Sequence, residues 1–248
     1  MIRQLTNIER ERYRRQLMLP GFNERHQKQL KNTSALVAGV GGLGGTAALY
    51  LAAAGIGRLV LVHAGAVTVS NMNRQILMKN RVGMSRVVQA KETIREMNPA
   101  VAIDIFDERI TDRNASGLAG SVQIALSARP NFEERRVLNK ACIEKGIPMV
   151  EAAMNGMEGY LFNVIPRVAS CVHCVYPEDD PCWKELEFPV LGAVSGMLGC
   201  MMALEAIKLL TGYGKPLLSE MLIYNTLDMD FRKVKIPRNE ECEVCRTG

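Results

Sequence analysis

The apolar positions of the chain fall into short runs separated by helical stretches. The run Ala35-Leu36-Val37-Ala38 has no polar spacer and predicts a strand buried on both faces. Residues 43–54 are small and apolar, closed by Gly55, and predict a helix. Residues 58–62 predict a second strand, and residues 86–97 a helix that stops at Asn98-Pro99, because the position before a proline disfavours helical backbone. Further strands are expected over 101–106, 122–126 and 148–152, with a helix over 131–145 ended by Gly146. Strands alternating with helices imply a parallel sheet with right-handed crossovers, here over residues 30–153. Beyond that the pattern changes. A strand over 160–165, a long apolar helix over 194–210 ended by Gly212, and strands over 221–224 and 231–236 are expected to extend the same sheet antiparallel. The fold class read from this is α/β, Rossmann-like and doubly wound, a largely parallel sheet extended by antiparallel strands in a C-terminal lobe. The expected division is an N-terminal helical arm over 1–29, a nucleotide-fold core over 30–153, and a lobe over 154–248 holding a crossover segment and a cysteine site.

Gly39-Val40-Gly41-Gly42-Leu43-Gly44 sits between the first strand and its helix, the context a GxGxxG phosphate loop requires. Gly39, Gly41, Gly42 and Gly44 permit a tight turn and close backbone approach, and the helix N-terminus offers free N–H groups to an anion. The plain alternative is a tight turn with no ligand. A dinucleotide site would place a carboxylate at the end of the second strand to hold ribose hydroxyls. This chain has His63-Ala64-Gly65 there, which argues against a dehydrogenase. His63 reads either as a ligand-contacting group or as a capped strand-end histidine.

The net charge of +5 is small and the basic residues are interspersed with acidic ones, so a nucleic-acid partner has no support. Residues 188–204 lack charge, but Pro189 and three glycines interrupt them and Glu205 follows at once. A span needs about 20 apolar residues, so a buried helix is expected and no membrane. Charges from the first residues onward leave no secretory signal, and a cytoplasmic protein is expected. Four of the seven cysteines form two CxxC pairs, Cys171/Cys174 and Cys242/Cys245. In a reducing compartment four thiolates on two knuckles suit structural zinc, with a thiol–disulfide couple as the alternative. A closed four-sulfur site leaves no position for substrate, and the 67 residues between the pairs mean that it ties the tail back to the fold.

Several stretches, in this order, resemble the MoeB/ThiF/HesA family of the ubiquitin-activating superfamily. They are Glu11-Arg12-Tyr13-Arg14-Arg15-Gln16, the glycine loop, Ser70-Asn71-Met72-Asn73-Arg74-Gln75, Asn98-Pro99, Asn131-Phe132, both CxxC pairs, and Ala203-Leu204-Glu205-Ala206-Ile207-Lys208. The resemblance spans residues 9–246. It implies adenylation, with ATP and magnesium, of the C-terminal glycine of a ubiquitin-like or sulfur-carrier protein. It also implies phosphate contacts by Arg15 and Arg74, a nearby polar contact by Asn71, and a homodimer in which Arg15 reaches the neighbouring subunit. The family's mobile crossover loop often carries a sulfur-handling cysteine. Cys182 lies a few positions early for that role and reads otherwise as a loop residue.

The departures cluster. His63-Ala64-Gly65 stands where the family has DxD, Arg86 of Gly83-Met84-Ser85-Arg86 where it has the catalytic lysine, and Ser127-Ala128-Arg129-Pro130-Asn131 where it has DxxDN. Arginine keeps a charge but not the compact ammonium. Loss of one preorganised electrostatic group costs roughly 10²–10³ in rate. The sequence therefore predicts a diverged, non-adenylating member in which ATP and magnesium are doubtful ligands and Arg129 makes an anion site. Such a chain would act as a binding or scaffold subunit for a ubiquitin-like carrier or an active paralogue. Two alternatives stand: an active adenylyltransferase/sulfurtransferase using Arg15, Arg74, Arg86 and Cys182, or a different enzyme binding a phosphate-containing small molecule near His63, Arg86 and Arg129.

Overall fold

The structure is a computed structural model that describes residues 2–178 and 188–246. The N-terminal arm begins with α1 (Asn7–Arg12), whose first turn is closed by Thr6 and Glu9: each side chain accepts from the other's backbone N–H, at 3.2 and 2.7 Å. Then come α2 (Arg14–Leu17) and α3 (Glu24–Lys31), the latter capped by Asn23. The parallel half follows as β1 (Ser34–Ala38), α4 (Gly42–Ala54), β2 (Arg58–Val62), α5 (Arg86–Met97), β3 (Ala102–Phe106), α6 (Ala115–Gly120), β4 (Ile124–Ser127), α7 (Phe132–Lys145) and β5 (Met149–Asn155). The C-terminal half comprises β6 (Glu158–Val164), α8 (Val172–Val175), α9 (Gly192–Thr211), β7 (Glu220–Asn225) and β8 (Asp230–Lys235).

All eight strands form one sheet in the order β3-β2-β1-β4-β5-β6-β7-β8. Pairing is parallel from β3 through β5 and antiparallel from β5 through β8, as the sequence predicts. β5 is bonded to both β4 and β6, so the two halves share one sheet. Alternation along β1 feeds two cores. Ala35 and Val37 face a layer containing α4, α5 and α9, while Leu36 and Ala38 face α6, α7 and α8.

Helix α9 is long and apolar enough to cross a membrane by length and composition. Its Leu198, Met202, Ala203 and Ala206 are instead packed in the first core against α4. The approach is close: a Cβ on Gly199 would lie 2.4 Å from the Leu43 carbonyl oxygen. The arm is anchored by Tyr13, whose hydroxyl accepts from Asn98 Nδ2 at 3.1 Å, while Asn98 also donates to Ala52 O at the end of α4. The short helices α6 and α8 are absent from the sequence-based expectation, because one or two turns leave too few periods of the apolar pattern to read.

Candidate functional site

Strand order reverses between β1 and β4, and in open α/β sheets the crevice at the carboxyl ends of such strands is the natural place for a ligand. The glycine loop lies there. Gly39 has φ +103°, and a Cβ on it would stand 2.6 Å from Ala128 O. A Cβ on Gly44 would reach within 1.8 Å of Gly39 O, so neither position tolerates a side chain. Gly41 is the N-cap of α4, and Gly41 and Gly42 line a cavity of about 1060 Å³, with Gly39 and Gly44 behind the turn.

The end of this cavity nearest the loop is cationic. Arg74, Arg86, Arg109 and Arg129 all line it, around His63 at the end of β2. The buried His63 imidazole accepts at Nδ1 from Val40 N–H at 3.1 Å, and Arg129 Nη1 lies 3.2 Å from the same nitrogen. Arg86 Nη1 lies 2.5 Å from Nε2. Burial first, then Arg129, Arg86 and Arg109, hold the His63 pKa down to about 3, so the ring is neutral. Arg86 is itself pushed below its ordinary range by burial and then by Arg129 and Arg74. Arg129 is tied on its other side to Glu134 Oε1 at 2.7 Å. Glu134 also accepts from Asn131 Nδ2 and Ile110 N–H, each at 3.0 Å. Burial alone would raise that carboxyl, but these contacts outweigh it and hold the pKa low. Arg74 donates to Ser70 O at 2.7 Å and to Asn73 Oδ1 at 2.8 Å.

The opposite wall was not legible in the sequence. Arg135, at the start of α7, is buried, forms an ion pair with Glu151 of β5, and donates to Arg129 O at 2.6 Å and Tyr160 Oη at 3.2 Å. Tyr160 and Tyr176 place their tilted rings 5.4 Å apart, and Phe132 continues the aromatic row at 5.6 Å from Tyr176. Beyond them the cavity runs over the antiparallel strands, past Ala153, Asn155, Ile223 and Val234. Register and crossover bring these residues together, and no local motif announces them.

Other residues singled out in the sequence sit elsewhere. Arg15 is exposed on α2 and does not line the cavity. Asn71 is buried and closes its own 3-10 turn, its Oδ1 accepting from Thr68 N–H at 2.8 Å. Cys182 lies outside the described residues. Cys171, Cys174, Cys242 and Cys245 converge as the spacing predicts. Their sulfurs lie within 4.8 Å of one another, with Cys171–Cys242 at 3.7 Å, Cys171–Cys174 at 3.8 Å and Cys174–Cys245 at 3.4 Å. This group can hold a metal ion, and its cysteines pack in the second core, on the opposite face of the sheet from α4. Cys142 is buried apart from it, its thiol pushed up to about 12 by burial.

Fold and pocket together define a Rossmann-like α/β protein whose parallel sheet is completed by an antiparallel C-terminal half. Within that class the chain belongs to the ThiF family, whose model matches residues 13–244. It is 51% identical over 242 residues to the heterocyst HesA protein of Trichormus variabilis, covering 97% of this chain and 90% of that protein. It is 34% identical over 249 residues to a sulfur carrier protein adenylyltransferase of Thermus thermophilus, covering 97% and 92%. Among solved structures, E. coli MccB with MccA-N7isoASN has the same fold, with a TM-score of 0.86 at 21% identity over 95% of this chain and 74% of MccB.

Proposed function

We propose that the chain is a ThiF-family protein that has lost adenylation and serves as a binding subunit for the C-terminal segment of a ubiquitin-like or sulfur-carrier protein, or for an active paralogue. The observation that carries this reading is the contact of Arg129 and Arg86 with opposite nitrogens of His63. Those side chains occupy the ends of β2 and β4 and the start of α5, where nucleotide chemistry needs carboxylates for ribose and magnesium and a compact ammonium for phosphate. A divalent cation placed beside Arg129 would meet like charge, and the nearest carboxylate, Glu134, is already paired. The carrier reading draws on the Thermus relative, which is named for a sulfur carrier protein, and on MccB, solved with an MccA-derived ligand. The cavity's extension over β6–β8 offers an extended tail a floor leading toward the cationic end.

The retained glycine loop and Arg74 favour the second reading, an active adenylyltransferase/sulfurtransferase. Titration calorimetry with ATP, run with and without magnesium, separates the two: no magnesium-dependent gain in ATP affinity is expected, and micromolar binding that requires magnesium would overturn the proposal.

The cysteine group is read as a structural zinc site. Four sulfurs about 2.3 Å from one tetrahedral ion stand about 3.8 Å apart, and three of the six sulfur separations here run from 3.4 to 3.8 Å, with all six within 4.8 Å. Residues 30–153 then supply the loop and cationic end, and residues 154–248 the floor and the metal tie. The proposed working form is a cytoplasmic homodimer, in which the exposed Arg15 faces a second subunit.

A further inference from the structure

We infer that the cationic end of the cavity is a receptor for a phosphate-class oxyanion, held by Arg74, Arg86 and Arg129 without a divalent cation and without recognition of a nucleoside. This deepens the non-adenylating reading and rests on it. Arg86 and Arg129 reach the same imidazole, at 2.5 and 3.2 Å, and Arg74 lines the cavity beside them, so three guanidinium groups are gathered at one end of the pocket. Among the described residues neither Arg74 nor Arg86 has a carboxylate within ion-pair distance, and Glu134 answers Arg129 alone of the three. Concentrated like charge in a partly desolvated pocket is costly unless something of opposite sign enters.

The hydrogen bonding is incomplete in the same sense. A neutral imidazole has one acceptor nitrogen, yet donors face both nitrogens of His63: Val40 N–H and Arg129 on one side and Arg86 on the other. Arg129 is 5% exposed, and its Nε has no hydrogen-bond partner among the described residues. The spare donors outnumber the acceptors. An oxyanion supplies several acceptor oxygens at once and lets Arg86 turn from the ring toward it. The 13-residue helix α4 adds its N-terminus, opened by Gly41 and Gly42 on the same wall.

The geometry also says which part of a nucleotide goes unread. Ribose recognition needs an acceptor pair at the end of β2. His63 offers a single acceptor, and the Val40 N–H already occupies Nδ1. A diphosphate and a nucleoside diphosphate should therefore bind alike.

The test is calorimetry on the full chain in EDTA, titrating inorganic pyrophosphate and, separately, ADP. Pyrophosphate is expected to bind, ADP to bind within tenfold of it, and Arg86→Gln and Arg74→Gln each to weaken pyrophosphate at least tenfold while melting as cooperatively as wild type. Arg74 is the safeguard, since it is only partly buried and bonds only to its own loop among the described residues. Absence of pyrophosphate binding by folded wild-type protein at millimolar concentration overturns the inference, as does unchanged affinity in both variants or ADP binding more than tenfold tighter. Those outcomes leave the non-adenylating reading intact. Tight binding of ATP that requires magnesium overturns both.

Discussion

A histidine buried against guanidinium groups links stability to pH, and for His63 the sign follows from its surroundings. Its pKa falls from 6.5 to about 3 on folding. Below pH 6.5 the unfolded chain takes up a proton that the folded chain refuses, so stability falls as pH drops, by about 1.4 kcal/mol per unit, until the folded value is reached. Urea unfolding at pH 6.5 and pH 5 is expected to lose roughly 2 kcal/mol more in wild type than in His63→Gln; equal losses would contradict the neutral ring. Glu151 offers a second residue-level check. It pairs with Arg135 in a buried setting, and Glu151→Ala strands that guanidinium, so denaturation should register a loss of about 3–5 kcal/mol. His63, Arg86 and Arg129 were legible as candidates because each stands where a motif calls for something else. Glu151 and Arg135 were not, since a buried pair joining a helix start to a strand depends on register that no local pattern encodes.

At the scale of elements, the contact of α4 with α9 depends on what is missing at Gly199. Alanine would gain about 1 kcal/mol of helix propensity. Its Cβ, however, would stand 2.4 Å from a backbone carbonyl, which forces the helices apart. Overpacking of about 1–3 kcal/mol is expected to win, so Gly199→Ala should lower Tm by a few degrees in a calorimetric scan; a rise would mean that the helices are free to separate. The strands around this pair were readable because a strand buried on both faces leaves an uninterrupted apolar run, as β1 and β2 do. The change from parallel to antiparallel was readable too, since β5 and β6, and again β7 and β8, follow one another with no helix between them. Helices α6 and α8 were not. Their burial comes from packing on α7 rather than from periodicity of their own.

For the molecule as a whole, the cysteine site joins the segment after β6 to the tail after β8 and closes a loop from Cys171 to Cys242. By analogy with a covalent cross-link over such a loop, the tie contributes about 4 kcal/mol. Chelation, or Cys242→Ser, should then lower Tm by roughly 8–16 °C, with elemental analysis reporting the loss of one metal ion per chain; an unchanged melt would assign the site no structural role. Tyr176, which caps the α8 knuckle holding Cys174, also lines the cavity, so the cysteine group adjoins one wall of it. The cavity's two ends suit different parts of one partner, a floor of strand residues for a chain segment and a cationic end for an anion.

The central claim is that the pocket no longer activates a carboxylate. Pyrophosphate exchange into ATP, measured with magnesium and a Gly-Gly-ended carrier protein, tests it directly. Exchange indistinguishable from a protein-free control is expected, and turnover on the order of 1 per second, an ordinary enzymatic rate, abolished by Arg74→Ala, would contradict the account.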